Sequence, residues 1–234
     1  MKYYKTDSRK ISFREYWHIS RKGFLFGWLN KILGRRLNLI TGIAGPQPFR
    51  DKLMARESLP PLMMERFDRA TEELRRLGFD QFWIFGAKDS LTGGIGRGLL
   101  ALHAAKTTTA KVIYASFRTR ETQTTTLQSG LADGTVLATT NKKQDFNSRA
   151  GVLIERRVGA PASVLWERHQ QKLEALRTSN PPGIFADFGA VADFEDALIQ
   201  KTYDDRIRRG VWVEMTEAEV AALRAKRTPP PLRS

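Results

Sequence analysis

Side chains that could carry acid–base chemistry are few and scattered along this chain. It contains three histidines, His18, His103 and His169, and no cysteine. Histidine is the side chain whose charge changes most readily near neutral pH. His103 falls in a predicted strand and His169 on the apolar side of a predicted helix, and no partner for general catalysis is recognisable beside either. This pattern favours histidines that belong to the core.

A glycine-rich segment at 86–98, GAKDSLTGGIGRG, could bind an anion. The candidate contacts are Lys88, Gly94, Gly96 and Arg97. Their spacing matches neither the dinucleotide fingerprint nor the P-loop. The residues that follow predict a strand, whereas phosphate loops of those types lead into a helix N-terminus with free N–H groups. A mobile loop between strands is the favoured interpretation, and an anion cradle is the alternative.

Other signatures of catalysis or of a bound metal are missing from the sequence. Without cysteine there is no disulfide, no thiolate nucleophile and no zinc site built on cysteine. Histidines and carboxylates do not occur at metal-ligand spacings, and no nucleophile elbow is present. We therefore predict no catalytic residue, no metal and no cofactor. An enzyme is the less favoured class, although active sites assembled from distant positions leave no local signature.

Positive charge is concentrated near the N-terminus. The 234 residues carry 39 basic and 25 acidic side chains, a formal charge of +14. The first 45 residues hold 10 basic and 2 acidic side chains, which is +8. Eight aromatic residues lie in the same stretch. A local excess of this kind indicates a polyanionic partner, such as an anionic membrane, a nucleic acid or an acidic protein.

The segment 12–33 has the pattern of an amphipathic helix. Ser12 and Glu15 have the spacing of a capping box, and apolar residues then recur at helical intervals among the cations. The block GFLFGWLNKILGRR resembles helices that lie at a membrane interface. A helix packed on the protein's own core is the favoured interpretation, because amphipathic helices are the norm in globular proteins, and contact with a membrane or a partner is the alternative. The predicted contacts with an anionic surface are Arg14, Trp17, Arg21, Lys22, Phe24, Trp28, Lys31, Arg35 and Arg36.

Three functions are compatible with these patterns. The first is a non-catalytic binding or scaffolding module that docks on an anionic membrane surface or an acidic protein partner through its N-terminal arm. The second is a nucleic-acid-binding protein, and the third is an enzyme that uses the 86–98 loop with His103 or His169. No apolar run reaches 18 residues and no signal peptide is recognisable. We expect a cytoplasmic protein that has no transmembrane segment, with association to a membrane surface as an option under the first of these functions.

Short strands dominate the middle of the chain and helices flank them. Alternating or continuous apolar runs predict six strands, at 79–85, 99–105, 111–117, 122–131, 135–141 and 151–158. Helices are predicted at 61–77 and 161–177, each with an apolar stripe. Segregation of strands and helices predicts an α+β fold, in which an antiparallel meander is covered on one face by these two helices.

Asp133-Gly134 predicts a two-residue type I′ hairpin turn. In that register Leu131 would pair with Val136, and Ser129 with Ala138. Leu127, Ser129, Leu131, Val136 and Ala138 would then share a core face. The other face would be rich in hydroxyl and amide groups and either solvated or used for recognition.

The composition predicts three segments. These are a basic amphipathic N-terminal arm with its linker at 1–58, an α+β core domain at 59–178, and a C-terminal αβα extension at 179–234. Residues 1–11 are predicted to be a polar tail. The extension is predicted to contain a helix at 193–209, a strand at 210–215, a helix that follows Thr216 and a disordered tail at 228–234.

Overall fold

The computed structural model describes residues 1–13, 15, 17, 24–34, 41–87, 95–117, 120–143 and 151–225. The strands are, in chain order, β1 Tyr3–Thr6, β2 Thr41–Ala44, β3 Phe79–Ala87, β4 Ile95–His103, β5 Thr109–Phe117, β6 Arg120–Gly130, β7 Val136–Thr140, β8 Val152–Arg156 and β9 Trp212–Glu214. The helices are α1 Phe24–Ile32, α2 Pro61–Arg76, α3 Ala162–Leu176, α4 Phe188–Arg208 and α5 Glu217–Ala225.

The chain forms two compact units. The smaller unit is built from 1–46 and from the chain after Ile199, and the larger unit from 47–87 and 95–199. The first part of α4, up to Ile199, therefore belongs to the larger unit. The three-segment division derived from composition stays a prediction.

A six-stranded sheet in the order β3-β4-β5-β6-β7-β8 forms the centre of the larger unit. Strands β3 to β7 are antiparallel to their neighbours, as predicted, and the α+β fold is confirmed. The last strand departs from the predicted meander, because β8 runs parallel to β7. A parallel neighbour requires a crossover connection instead of a hairpin, which a pattern of strand lengths does not reveal.

Helices α2 and α3 cover one face of this sheet, as predicted. Phe67, Ala70 and Leu74 of α2 and Leu165 of α3 are buried in one apolar cluster with residues of β4, β5 and β6. Each helix presents residues three or four positions apart, which form a single stripe. Burial of these stripes provides the main favourable term that holds the helices to the sheet.

The opposite face of the sheet is also covered. Leu100 and Leu102 of β4 lie in a second buried cluster with Phe49, Val191 and Ala192. The first part of α4 thus packs on the face that the sequence left unassigned. Strand β7 is buried along its whole length, whereas Thr124, Thr126 and Thr135 of the predicted hydroxyl- and amide-rich face are partly exposed.

The hairpin between β6 and β7 differs from the predicted type I′ turn. Gly134 has φ of +79°, but Asp133 does not adopt a positive φ, which a type I′ turn requires. The Gly134 N–H donates to the Leu131 carbonyl at 2.9 Å, and the Leu131 N–H donates to Thr135 at 2.7 Å. Asp133 Oδ1 accepts the Thr135 N–H at 2.8 Å, which holds the longer loop in place.

This longer loop shifts the register by one residue. Ser129 pairs with Leu137, and Gly130 pairs with Val136. The predicted pairs of Ser129 with Ala138 and of Leu131 with Val136 are therefore wrong. A slip of one residue exchanges the two faces of a strand, so Leu137 and not Ala138 lies on the face of Ser129.

The smaller unit contains a three-stranded antiparallel sheet in the order β2-β1-β9. The predicted polar tail at 1–11 is wrong, because β1 is the central strand of this sheet. Tyr4 and Thr6 alternate with Tyr3 and Lys5 as buried and partly buried residues. This alternation is the pattern of a strand, but it extends over only four residues.

Aromatic rings pack beside this sheet. The ring centroids of Tyr4 and Trp212 are 6.2 Å apart, and those of Tyr203 and Trp212 are 4.7 Å apart. The Arg206 guanidinium lies 4.4 Å from the Trp212 ring centroid, within cation–π range. The Tyr203 hydroxyl donates to the Ala44 carbonyl, which ties α4 to β2.

The predicted helix–strand–helix order at the C-terminal end is confirmed as α4, β9 and α5. Thr216 and Glu219 form the predicted capping box at the start of α5. The Thr216 N–H donates to the Glu219 carboxylate at 3.0 Å, and the Glu219 N–H donates to the Thr216 hydroxyl at 3.3 Å. Residues 228–234 lie outside the described part of the chain.

Candidate docking surface

Helix α1 exposes a stripe of large apolar side chains. Their exposed fractions are 66% for Leu25, 39% for Trp28, 50% for Leu29, 61% for Ile32 and 64% for Leu33. The spacing i, i+3, i+4, i+7, i+8 places all five on one face, with Leu33 directly after the last residue of α1 and still hydrogen-bonded to the Leu29 carbonyl at 2.9 Å. Single exposed apolar residues are ordinary on protein surfaces, whereas a contiguous patch marks an interaction site. We call these five residues the α1 stripe.

The other side of α1 is attached to the smaller unit. The Lys31 ammonium donates to the carbonyl of Ile11 at 2.6 Å, and the Ile11 side chain is fully buried. Gly27 is buried as well. The helix is thus held through one side while the α1 stripe stays at the surface.

Among the predicted contacts with an anionic surface, Trp17 and Trp28 are exposed. Lys31 is partly exposed and makes the hydrogen bond to Ile11. For Phe24 only the main chain is described. The other predicted contacts, Arg14, Arg21, Lys22, Arg35 and Arg36, lie outside the described residues.

Ser12 and Glu15 form the predicted capping box, and Glu15 also forms an ion pair with Arg209 that the sequence did not indicate. The Ser12 N–H donates to Glu15 at 2.8 Å, and the Glu15 N–H donates to the Ser12 hydroxyl at 3.3 Å. Both oxygens of the fully buried Glu15 carboxylate accept from Arg209 Nη2 at 2.7 Å. Hydrogen bonding to Glu15 raises the pKa of Arg209. This pair ties Glu15 to the residue that follows α4.

The candidate anion loop is shorter than predicted. Gly96 and Arg97 lie within β4, where they pair with Ala115 and Tyr114 of β5. Their main-chain groups therefore belong to the sheet. Lys88 and Gly94 lie outside the described residues.

Gly98 has a packing role. A Cβ atom at this position would lie 2.1 Å from Cζ of Phe85, the residue opposite it on β3. We expect Gly98→Ala to lower the free energy of unfolding by about 1–3 kcal/mol, because the Phe85 ring would have to leave its packed position. Urea denaturation measures the loss. Gly183→Ala is the control, since its Cβ would meet only the Gly130 carbonyl at 3.7 Å; equal losses in the two variants would contradict the packing role.

A charged pair lies inside the larger unit. Lys111 of β5 forms an ion pair with Glu195 of α4. The Glu195 side chain is fully buried, and that of Lys111 is 15% exposed. Gln128 is buried on the same face of the sheet, opposite Thr109, which lies two residues before Lys111. Two buried acceptor atoms of this cluster, Glu195 Oε1 and Gln128 Oε1, accept no hydrogen bond from any described residue.

The sequence contained a signal for this pair. Lys111 shares its side of β5 with Ile113 and Ala115, and Glu195 follows Val191 and Ala192 on the buried stripe of α4. A charge inside an apolar period indicates a buried partner, because an unpaired charge there is costly. The pattern names no partner, since the two residues are far apart along the chain.

His169 is a core residue with both ring nitrogens satisfied. Nε2 lies 3.0 Å from the Ser129 hydroxyl, and Nδ1 lies 3.0 Å from the Thr139 hydroxyl. Ser129 in turn lies 3.0 Å from the hydroxyl of Thr108. Burial lowers the pKa of His169 to about 4. All four side chains are fully buried, so the network holds a neutral imidazole that links the sheet to α3.

His103 lies at the end of β4 and is partly exposed. Its Nδ1 accepts the Ala105 N–H at 3.0 Å, and its ring stacks on Trp166 with centroids 4.6 Å apart. Burial lowers the pKa of His103, against the opposing effect of the Leu77 main chain. The adjacent Gly78, with φ of +91°, leaves room for this ring. His103 therefore makes local structural contacts.

No metal-binding group of three or more histidine, aspartate or glutamate side chains occurs within the described part of the chain. Among the same residues, no helix is both long and apolar enough to cross a bilayer. Comparisons of the chain with protein-family models, with characterised proteins and with solved structures find no match. The α1 stripe is an exposed apolar surface of the smaller unit.

Proposed function

We propose that this protein is a non-catalytic binding module that docks on an anionic membrane surface through its N-terminal arm. The observation that carries the proposal is the α1 stripe, where Leu25, Leu29, Ile32 and Leu33 are each at least half exposed. Burial of an apolar helical face of this kind in the boundary between headgroups and acyl chains is favourable. Trp28 suits that boundary, because its ring is apolar and its N–H can stay in contact with water.

Charge supports the choice of a membrane with anionic lipids. The first 45 residues carry 10 basic and 2 acidic side chains. Two basic pairs flank the helix in sequence, Arg21-Lys22 before it and Arg35-Arg36 after it. Each cation near an anionic leaflet contributes about 1 kcal/mol. Apolar insertion and electrostatic attraction act together, as in interfacial helices generally.

The test is sedimentation of the full chain with lipid vesicles. The protein is mixed with vesicles of phosphatidylcholine alone or with added phosphatidylserine, at low and at physiological salt. We expect binding to the anionic vesicles and much weaker binding to the neutral ones. Removal of residues 1–45 is unsuitable as the test, because it would also delete β1 and β2 from the three-stranded sheet.

Leu25→Glu/Leu29→Glu is the decisive variant, since both side chains are exposed and their replacement leaves the core intact. We expect its partitioning to fall by about tenfold or more, because it loses two leucine insertions and gains two repelled charges. Leu62→Glu/Ile184→Glu is the matched control, as these exposed residues lie in the larger unit. Unchanged partitioning of the α1 variant, or equal binding to both vesicle types, would refute the proposal.

The same samples separate the nucleic-acid alternative. A chain that ignores vesicles but binds a single-stranded oligonucleotide, with affinity falling steeply as salt rises, would be a nucleic-acid-binding protein instead.

A further inference from the structure

A groove lies between the last strand of the six-stranded sheet and helix α3. Its volume is about 640 Å³, and a smaller cavity of 280 Å³ shares part of its wall. The floor is apolar and includes Leu137, Leu153 and Leu176. Leu153 is 49% exposed, so the floor is open to a partner. We call this the β8 groove.

One edge of β8, along the β8 groove, pairs with no other described strand. The Val136 N–H of β7 donates to the Gly151 carbonyl at 2.9 Å, and the Arg157 N–H donates to Thr140 of β7 at 2.9 Å. Gly151 and Arg157 thus direct main-chain groups toward β7. Because successive residues of a strand alternate in direction, the N–H and C=O groups of Val152, Ile154 and Arg156 point away from β7.

Strand β8 ends the order of the sheet, and the structure gives these outward main-chain groups no hydrogen-bond partner among the described residues. A sheet edge of this kind is a template for one further strand. Proteins use it to bind extended peptides, with main-chain hydrogen bonds for affinity and adjacent pockets for side chains.

The rim of the groove is basic. Arg156, Arg157, Arg168 and Lys172 line the two cavities, with Glu155 as the acidic residue among the lining side chains. Glu155 already accepts from Arg157 at 3.0 Å. The surplus of cations favours a partner with carboxylates on the strand it adds.

We propose that the β8 groove binds an extended acidic peptide of another protein, which adds as a seventh strand beside β8. Its main chain pairs with Val152, Ile154 and Arg156, its aliphatic side chains fill the apolar floor, and its carboxylates meet the basic rim. This surface belongs to the larger unit and shares no residue with the α1 stripe, so the proposal does not depend on the proposed membrane function.

Two other occupants fit less well. A nucleic acid presents phosphate oxygens along its backbone, which accept from N–H groups, whereas its donors lie on bases and sugars and do not alternate with acceptors along one backbone as those of a strand do. A second copy of this chain, paired through its own β8, would bring two basic rims together, and like charges across an interface repel. An acidic peptide satisfies the donors, the acceptors and the charge at once.

The experiment uses the full chain and a labelled nine-residue peptide of alternating valine and glutamate, followed by fluorescence anisotropy. We expect saturable binding that weakens with salt, and protection of the Ile154 and Arg156 amides from hydrogen exchange when the peptide is bound. The same peptide methylated on its three central main-chain nitrogens should not bind, because methylation removes its donors. Equal binding of the methylated peptide, unprotected amides, or no saturation by about 1 mM would overturn the proposal.

Lys172→Glu tests the rim and is expected to weaken peptide binding about fivefold, the effect of roughly 1 kcal/mol. Arg69→Glu is the matched control, an exposed cation of α2 that does not line the groove. If Lys172→Glu and Arg69→Glu weakened peptide binding equally, the basic rim would not be the part of the surface that contacts the peptide. An oligouridine that displaces the peptide, or amide protection that rises with protein concentration alone, would assign the edge to nucleic acid or to a second copy.

Discussion

Lys111→Met is expected to lower the free energy of unfolding by about 3–5 kcal/mol, the usual result of breaking a buried ion pair by removing one partner. Methionine has a similar length and keeps the apolar stem of the side chain, so packing changes little. The loss arises because Glu195 is fully buried and its carboxylate would have no counter-charge. Its Oε1 atom already accepts no hydrogen bond from the described residues.

The same substitution at a surface pair provides the control. Lys2 pairs with Glu214 at 2.9 Å, but the two side chains are 67% and 51% exposed. Water screens such a pair, and surface pairs contribute little to stability. We expect Lys2→Met to unfold at the same urea concentration as the parent chain. A similar loss from both substitutions would mean that burial of Lys111 and Glu195 does not decide the outcome.

The double variant Lys111→Met/Glu195→Leu separates the cost of an unpaired charge from the value of the pair. Replacement of a buried pair by apolar side chains of similar volume is often neutral or stabilising. We therefore expect the double variant to be more stable than Lys111→Met alone. A double variant no more stable than Lys111→Met would contradict this expectation, because removal of the unpaired carboxylate would then recover nothing. Losses that simply add would mean that the two side chains are not coupled.

Local patterns were sufficient to predict the elements of the larger unit. The stripe of α2, the hairpin of β4 and β5, and the position of α3 all follow from apolar periods that a few neighbouring residues define. The register of β6 and β7 did not follow, because it depends on hydrogen bonds of the Asp133 main chain and side chain. Asn180, which accepts the Asp133 N–H at 3.1 Å, lies 47 residues away.

Contacts between residues far apart in the sequence could not be predicted from local patterns. β1 is a strand because β9 lies beside it, although Tyr4 and its partner Glu214 are at opposite ends of the sequence. The alternation in β1 covers only four residues, which is too short to predict a strand in a segment whose composition is basic and polar. The Glu15–Arg209 pair spans 194 residues, and neither residue differs in type from the solvated charges around it.

The candidate site was predictable in part. The helical period of 24–33 and its flanking cations can be read from the sequence, and the same period places Leu25, Trp28 and Leu29 on one face. Exposure of that face is a tertiary property, since an identical period would serve a helix buried on the core. The β8 groove had no sequence signal, because only the order of the strands makes β8 an edge.

His169 should make the protein less stable as the pH falls below neutrality. Its pKa is about 4 in the folded protein and about 6.5 in an unfolded chain. Between these values the unfolded chain binds a proton at His169 that the folded protein does not, so the free energy of unfolding decreases with falling pH. The stability present above pH 6.5 is lost progressively down to pH 4, and the loss amounts to about 3 kcal/mol.

His169→Gln isolates this contribution from the carboxylates that titrate in the same range. Glutamine can still hydrogen-bond Ser129 or Thr139 but takes up no proton, so the variant should lose less stability than the parent between pH 7 and pH 4. Urea denaturation at pH 7, 6, 5 and 4 measures the two slopes. His103→Gln is the control and should change the slope less, because His103 is partly exposed and its pKa is lowered by weaker burial. If the free energy of unfolding fell equally with pH in the parent and in His169→Gln, His169 would not be the source of the pH dependence. A buried, neutral imidazole must contribute to that slope, and its replacement by glutamine must therefore reduce it.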